Sequence, residues 1–490
     1  MLDMADFERE RMSSIDTAWL RMDRPYNLMT ITGLLIFEDK LTLERVRTTL
    51  QTRMLAHKRF QQKVSHIPGG NYYWETDTHF DINSHVRRIG LPGAGGKREL
   101  EELVGDLMST PFDHSKPLWQ VHLVENYQGG SAVILRWHHC YADGIALIHV
   151  LLSMTETNPS THEMLIKPRP LSTVHHHERH EVGEGIFRHF FEPLGWAVNN
   201  AVKAGIDILE EGVEMVTHPA ETMDYARQGA DLAAEVAKLL VMPDDPPTRF
   251  RGELSVSKRV AWSEPLPLAD VRVLGKALDC SVNDVLLSAV AGALRAYLMA
   301  QGDRVDGLEI RATVPVNLRS LDKAHQLGNY FGLVYLTLPI GVEDPVERLF
   351  EVKKRMDELK GSYQAILALG LLGILGLGPQ LLQASVLKVL TKKATAVMTN
   401  VPGPQMPLYF AGARIAQQMF WVPQSGTIGM GVSILTYNGQ VQVGLATSKA
   451  LVSDPHAIID RFADQFEQLL LTVMMGPWGE QLAVKSRPQS

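Results

Sequence analysis

From Ala365 to Leu387 the chain reads AILALGLLGILGLGPQLLQASVL, without one charged side chain. A run of that length either crosses a bilayer or is enclosed by the rest of the protein. Gly370, Gly373, Gly376 and Gly378, followed by Pro379, weaken a continuous helix, although glycine itself is tolerated in membrane helices. The run is therefore expected to be a buried helical segment or the wall of an apolar tunnel rather than a span. Enclosing it takes a large core, which 490 residues with 45% hydrophobic and 21% charged residues can supply. The length exceeds one ordinary domain, so two are expected.

The 48 Lys and Arg against 55 Asp and Glu leave a formal charge of -7, which gives no global attraction to nucleic acid. Cys140 and Cys280 are too far apart in sequence for a disulfide framework, and this fits a reducing compartment such as the cytoplasm. The N-terminal stretch MLDMADFERERMSSIDTAWL is charged throughout and lacks an apolar core, so no secretory signal is expected, and Met12 offers an alternative start.

NLMTITGLLIF (27 to 37) alternates as a strand does, and LTLERVRTTLQTRML (41 to 55) has helical spacing. GAGGKREL opens a further helix, and WQVHLVEN and SAVILRW pair around the turn YQGG. Such interleaving predicts an α/β (α+β) fold. The region 158 to 250 starts as a polar, histidine-bearing linker and continues into helices near 186 to 240. Phe187, Phe190, Phe191 and Trp196 there suit packing on a domain or a membrane interface. Strand and helix patterns resume over 251 to 480 and end in a helix beginning at SDPHAIID. The expected domains are thus 12 to 157 and 251 to 480, with 158 to 250 connecting them.

LRWHHCYADGIA, residues 135 to 146, places His138 and His139 between an apolar strand and an apolar helix. Chemistry commonly sits at such a junction. With an ordinary pKa of about 6.5, a histidine here can act as general base toward a hydroxyl, thiol or amine. Asp143 can brace the loop by pairing with an arginine or by accepting N–H bonds at the helix start, and Gly144 lets the chain turn. A metal site from His138, His139, Cys140 and Asp143 is disfavoured because adjacent residues of an extended chain face opposite ways. Cys140 as a covalent acyl carrier is a weaker reading still. On this motif alone, a polar turn without chemistry is as good an account. His456 and Asp460 repeat the H-x-x-x-D spacing inside the C-terminal helix, where a surface pair is expected. His175, His176, His177 and His180 read as a solvated part of the linker.

HHCYADG resembles the HHxxxDG signature of the coenzyme A-dependent acyltransferase superfamily, which includes the condensation domains of peptide synthetases. The chain also carries SSIDTAWL, PLW (Pro117 to Trp119), VNDVLL (Asn283, Asp284), PVNLR (Pro315 to Arg319), LGNYFG (Gly328, Asn329) and TNVPGP (Asn400 to Pro404). In this order they are similar to the bacterial wax ester synthase/acyl-CoA:diacylglycerol acyltransferases, over nearly all of residues 12 to 475.

The resemblance implies two chloramphenicol acetyltransferase-like domains, each a mixed β-sheet flanked by helices, with a helical linker and the active site between them. It implies transfer of a fatty acyl group from acyl-CoA to a long-chain alcohol or to diacylglycerol, at the inner membrane or at lipid inclusions. Acyl-CoA is then a substrate, and no cofactor or metal is expected. His139 becomes the base, His138 its positioning or packing neighbour, Asp143 the brace and Gly144 the point of close backbone approach. The Asn283 amide becomes the oxyanion donor, or else an N-cap, and Asp284 supports the fold. Arg319 is expected as a structural charge partner. Arg249, Arg251, Lys258 and Arg259 are weaker candidates for CoA phosphates. Two alternatives stay open: a condensation-type enzyme using carrier-bound donors, and a non-catalytic lipid-surface protein.

Overall fold

The computed structural model describes residues 9–67, 71–158, 241–319, 327–360, 364–377 and 380–476. The aromatic residues at 187 to 196, the histidines at 175 to 180 and most of the connecting region lie outside them. In the first half the strands used below are β1 (Thr30–Phe37), β2 (Val86–Ile89), β3 (Trp119–Tyr127) and β4 (Gly130–His138). The helices are α1 (Ser14–Arg21), α2 (Lys97–Met108) and α3 (Gly144–Ser153). The second half contributes β5 (Lys258–Trp262), β6 (Leu266–Pro267), β7 (Ile310–Asn317), β8 (Phe331–Leu338), β9 (Ala396–Pro402), β10 (Gln417–Trp421), β11 (Met430–Tyr437) and β12 (Gln440–Ser448). Of its helices, those used below are α4 (Val282–Ala300), α5 (Pro345–Lys360), α6 (Gln364–Leu377), α7 (Gln380–Thr391) and α8 (His456–Met475).

Two mixed sheets organise the protein, as the family resemblance implies. The first runs β10-β1-β4-β3-β2, antiparallel except for the β3/β2 pair. In the second, β6-β12-β11-β9-β7-β8 are neighbours in that order and β5 also pairs with β12. The β3–β4 hairpin closes through Gln128 (φ 47°) and Gly129 (φ 86°), the left-handed pair that a two-residue turn matching the strand twist requires. Every residue of β4 is buried, which accounts for its unbroken apolar run before Arg136.

A division at residue 250 does not separate the sheets. β10 comes from the second half, yet pairs with β1 from Gln417↔Ile36 to Trp421↔Thr32. It covers the outer edge of β1, which would otherwise present a row of unpaired backbone groups. One core cluster accordingly mixes Leu34, Ile134, Val104 and Leu100 with Val260, Trp262, Met419 and Trp421.

Polar contacts also join the halves. Lys258 Nζ donates to Asn27 Oδ1 at 2.5 Å, and Asn27 Nδ2 donates to the Gly426 and Ile428 carbonyls. His456 is not the surface residue its spacing suggested: it is buried, with Nε2 2.6 Å from Glu101 Oε2 on α2 and only a longer 3.8 Å contact to Asp460.

The charge-free run forms two helices, α6 and α7, on either side of positions 378 and 379. Its glycines bring backbones together. A Cβ on Gly376 would lie 1.8 Å from Ser14 O, so α6 rests directly on the start of α1, and a Cβ on Gly332 of β8 would lie 1.7 Å from Ala365 O. Ala365, Leu367, Leu369 and Leu375 are buried, whereas Leu377 and Leu381, at the facing ends of the two helices, are 69% and 83% exposed. α4 is long and apolar enough to cross a bilayer by composition, but most of it is enclosed in the second core.

Candidate active site

β4 ends at His138, and the chain reaches α3 through Asp143. Asp143 is the N-cap of α3: Oδ1 accepts the Ala146 N–H at 2.9 Å. Its Oδ2 accepts from Arg319 at 2.8 Å and from the Tyr330 N–H at 2.9 Å. The same arginine also donates to Gly328 O. The aspartate and arginine are both buried, so each neutralises a charge that could not stay alone in the interior.

The glycine that the loop requires is Gly328. Its φ of 112° lies in the left-handed region, its N–H donates to Tyr141 O, and its carbonyl accepts the Asp143 N–H. Gly144 does not play the part expected of it. It is not among the left-handed glycines, and a Cβ there would meet no atom within 4 Å.

The adjacent histidines face different partners. His138 is fully buried, with Nδ1 accepting the Cys140 N–H and Nε2 3.2 Å from Asp23 Oδ2. His139 is 4% exposed and stacks on Trp19, with ring centroids 4.1 Å apart and an interplanar angle of 10°; Phe331 lies 5.5 Å from both rings. Nδ1 of His139 is 2.9 Å from Asn329 Oδ1, and Nε2 has no hydrogen-bond partner among the described residues.

Burial holds His139 at a pKa of about 4, so the imidazole is neutral and can accept a proton at neutral pH. Asp16, in the first turn of α1, is also buried, and burial raises its carboxyl to about 6. Burial likewise pushes the Cys140 thiol well above its usual value, which removes the thiolate that a covalent carrier needs. No group of three His, Cys, Asp or Glu side chains is placed to hold a metal ion among the described residues.

Asn283 lies apart from the His139 hydrogen-bond network. It is not an N-cap: Ser281 caps α4, in a reciprocal capping box with Asp284. Its Oδ1 accepts from Asn400 Nδ2 on β9. This pairing joins VNDVLL to TNVPGP and leaves the Asn283 Nδ2 hydrogens without a partner among the described residues.

The four basic residues near the start of the second half do not converge. Arg249 pairs with Asp303, Arg251 donates to the Lys392 and Ala394 carbonyls, Lys258 is held by Asn27, and Arg259 faces Asp106.

Trp19, Asp16, Asp23 and Asn329 surround the histidines, and sequence reasoning assigned none of them a role. Their traces were present: SSIDTAWL carries Asp16 and Trp19, and LGNYFG carries Asn329.

The profile of the wax ester synthase/diacylglycerol acyltransferase catalytic domain matches residues 12–286, and that of the WS/DGAT C-terminal domain matches 327–470. A Mycobacterium tuberculosis (strain ATCC 25618 / H37Rv) protein provisionally named a diacylglycerol O-acyltransferase is 26% identical over 481 residues, covering 94% of this chain and 90% of the relative. A Mycobacterium bovis protein with the same provisional name is 27% identical over 470 residues, covering 94% and 95%. Among solved structures, the wax ester synthase/diacylglycerol acyltransferase from Marinobacter aquaeolei VT8 shares the fold with a TM-score of 0.66 and 22% identity, covering 95% of this chain and 100% of that one. The first condensation domain of the calcium-dependent antibiotic synthetase also shares it, with a TM-score of 0.57 and 15% identity over 96% and 97% of the two chains.

Proposed function

Since the chain belongs to the wax ester synthase/diacylglycerol acyltransferase family and is an acyltransferase, we propose that it moves a long-chain fatty acyl group from acyl-CoA to the hydroxyl of a long-chain alcohol or of a diacylglycerol, with His139 as general base. One observation carries the assignment of the base. The His139 imidazole is buried and neutral, held on one side by Asn329 and Trp19, and its Nε2 is unengaged.

In the reaction, Nε2 takes the hydroxyl proton as the oxygen bonds to the thioester carbonyl carbon. The tetrahedral intermediate collapses with cleavage of the C–S bond. The imidazolium then returns the proton to the leaving sulfur, giving ester and free CoA thiol. The Asn283 amide, steadied through its oxygen by Asn400, is the donor we assign to the oxyanion. The Asp143–Arg319 pair and the His138–Asp23 contact keep the loop in shape. No redox group or metal enters these steps, and acyl-CoA is consumed as substrate.

The acceptors and products are lipids, so we place the enzyme peripherally on the cytoplasmic face of a membrane or on lipid inclusions. The exposed Leu377 and Leu381 support this placement.

The direct test supplies palmitoyl-CoA with hexadecanol or with a diacylglycerol and follows both ester formation and thiol release. Ester from at least one acceptor is expected, and His139→Ala should lower turnover by about 10²–10⁴-fold. Absence of ester with both acceptors, or transfer from a phosphopantetheinyl carrier but not from CoA, would overturn the reading.

A further inference from the structure

The Asn329 side chain has a hydrogen-bond partner at each of its ends. Its Nδ2 donates to Asp16 Oδ1 at 2.8 Å and to the main-chain oxygen of His139 at 2.9 Å. A main-chain oxygen can only accept, which settles which end of the carboxamide carries nitrogen. The other end, Oδ1, is therefore the atom 2.9 Å from His139 Nδ1. An amide oxygen also only accepts, so Nδ1 carries the imidazole proton and Nε2 carries the lone pair.

Asp143 does not set this tautomer: His139 Nδ1 is bonded to Asn329, and the Asp143 oxygens accept from Arg319, Tyr330 and Ala146. Asp16 can act through the amide. It projects from α1, the helix that also supplies Trp19, so one short element fixes both the plane of the imidazole and the amide that orients it.

We propose that Asp16 and Asn329 are positioning residues for the acyl transfer, with Asp16 fixing the Asn329 amide and Asn329 fixing His139 with its proton on Nδ1 and its lone pair on Nε2. The assignment rests on His139 being the base. A neutral amide stands between carboxylate and imidazole, so the ring is oriented without the strong charge stabilisation that a directly bonded carboxylate would give its protonated form.

The experiment combines the nitrogen-15 spectrum of the histidines with the pH dependence of kcat/KM. The His139 signal is assigned by its absence from His139→Ala. The native protein should show His139 with Nδ1 protonated and Nε2 bare. Asn329→Leu should mix the tautomers and lower kcat about 10–100-fold with KM little changed. Asp16→Leu should act in the same direction, and Asp16→Asn, which can still accept from Asn329, should recover the loss. Asn329→Asp, made together with Asp16→Asn so that an amide rather than a second carboxylate faces the new carboxylate, should restore the Nδ1-protonated form and move the acidic limb of kcat/KM upward by about one pH unit.

An unchanged tautomer with undiminished kcat in Asn329→Leu overturns the proposal. Should that variant fail to fold, Asn329→Asp with Asp16→Asn decides: an unmoved acidic limb overturns it. Full turnover in His139→Ala would instead remove the base assignment, while the native spectrum still reads the tautomer independently.

Discussion

His138 and His139 are adjacent in sequence but differ in partners: His138 meets Asp23 and the Cys140 N–H, His139 meets Asn329 and Trp19. Since burial holds His139 near pKa 4, kcat/KM should stay level as pH falls through 6.5 and decline only closer to 4, which a pH–rate series on the native enzyme would show. Stability should respond with a definite sign. His139 and His122, both held near 4 by burial, stay neutral in the folded chain and protonate near 6.5 when unfolded, so their contribution is lost as pH falls from 6.5 toward 4. Asp16, raised to about 6, works against them, because its cost in the folded state is relieved as pH falls from 6 toward 3.8. Asp16→Asn should therefore lose stability on acidification more steeply than the native protein, as read by melting temperature between pH 7 and pH 5. Arg319→Ala leaves Asp143 buried and unpaired and should cost about 3–5 kcal/mol. The strand-to-helix junction that holds the two histidines, and Asp143 as its helix cap and arginine partner, were legible because that motif is short and local; the part of Asn283 was implied only by the family resemblance. The Asp16–Asn329–His139 chain was not legible, since its members are spread across the chain from α1 to the start of β8, and a single sequence carries no sign of their contact.

The charge-free run shows what a periodicity reading can and cannot reach at the scale of an element. Its absence of charge pointed to enclosed helices; α6, with Ala365, Leu367, Leu369 and Leu375 buried, is largely that, whereas α7 is mostly half-buried or exposed, with Leu381 83% exposed. The purpose of its glycines depends on what lies opposite them, which here is backbone: Ser14 against Gly376, and Ala365 itself against Gly332. Gly376→Leu should push α6 away from α1 and destabilise the protein by about 1–3 kcal/mol. Because α1 carries Trp19 and Asp16, kcat should fall along with the melting temperature. A variant that loses stability with kcat intact at low temperature would show that α6 supports the fold but not the base. The β3–β4 hairpin was easier to anticipate, because the turn YQGG lies next to the strands it joins.

For the whole molecule, an α/β fold was foreseeable from the alternation of strands and helices and the two mixed sheets from the family resemblance, but the exchange of β10 was not. Nothing in QQMFW marks it as belonging beside TGLLI rather than beside its own neighbours. A fragment ending at residue 250 should therefore expose the edge of β1 and part of the shared core. When expressed alone it should be recovered mainly as aggregate, and co-expression with 251–490 should return soluble complex. The same strand exchange bears on how the protein is made. β10 starts 380 residues after β1 ends, and at about 5–20 residues per second a ribosome takes on the order of 20–80 s to deliver it. During that interval each nascent chain displays an open edge shaped for QQMFW. On a crowded polysome, a finished neighbour can offer that strand before the chain's own copy has been translated.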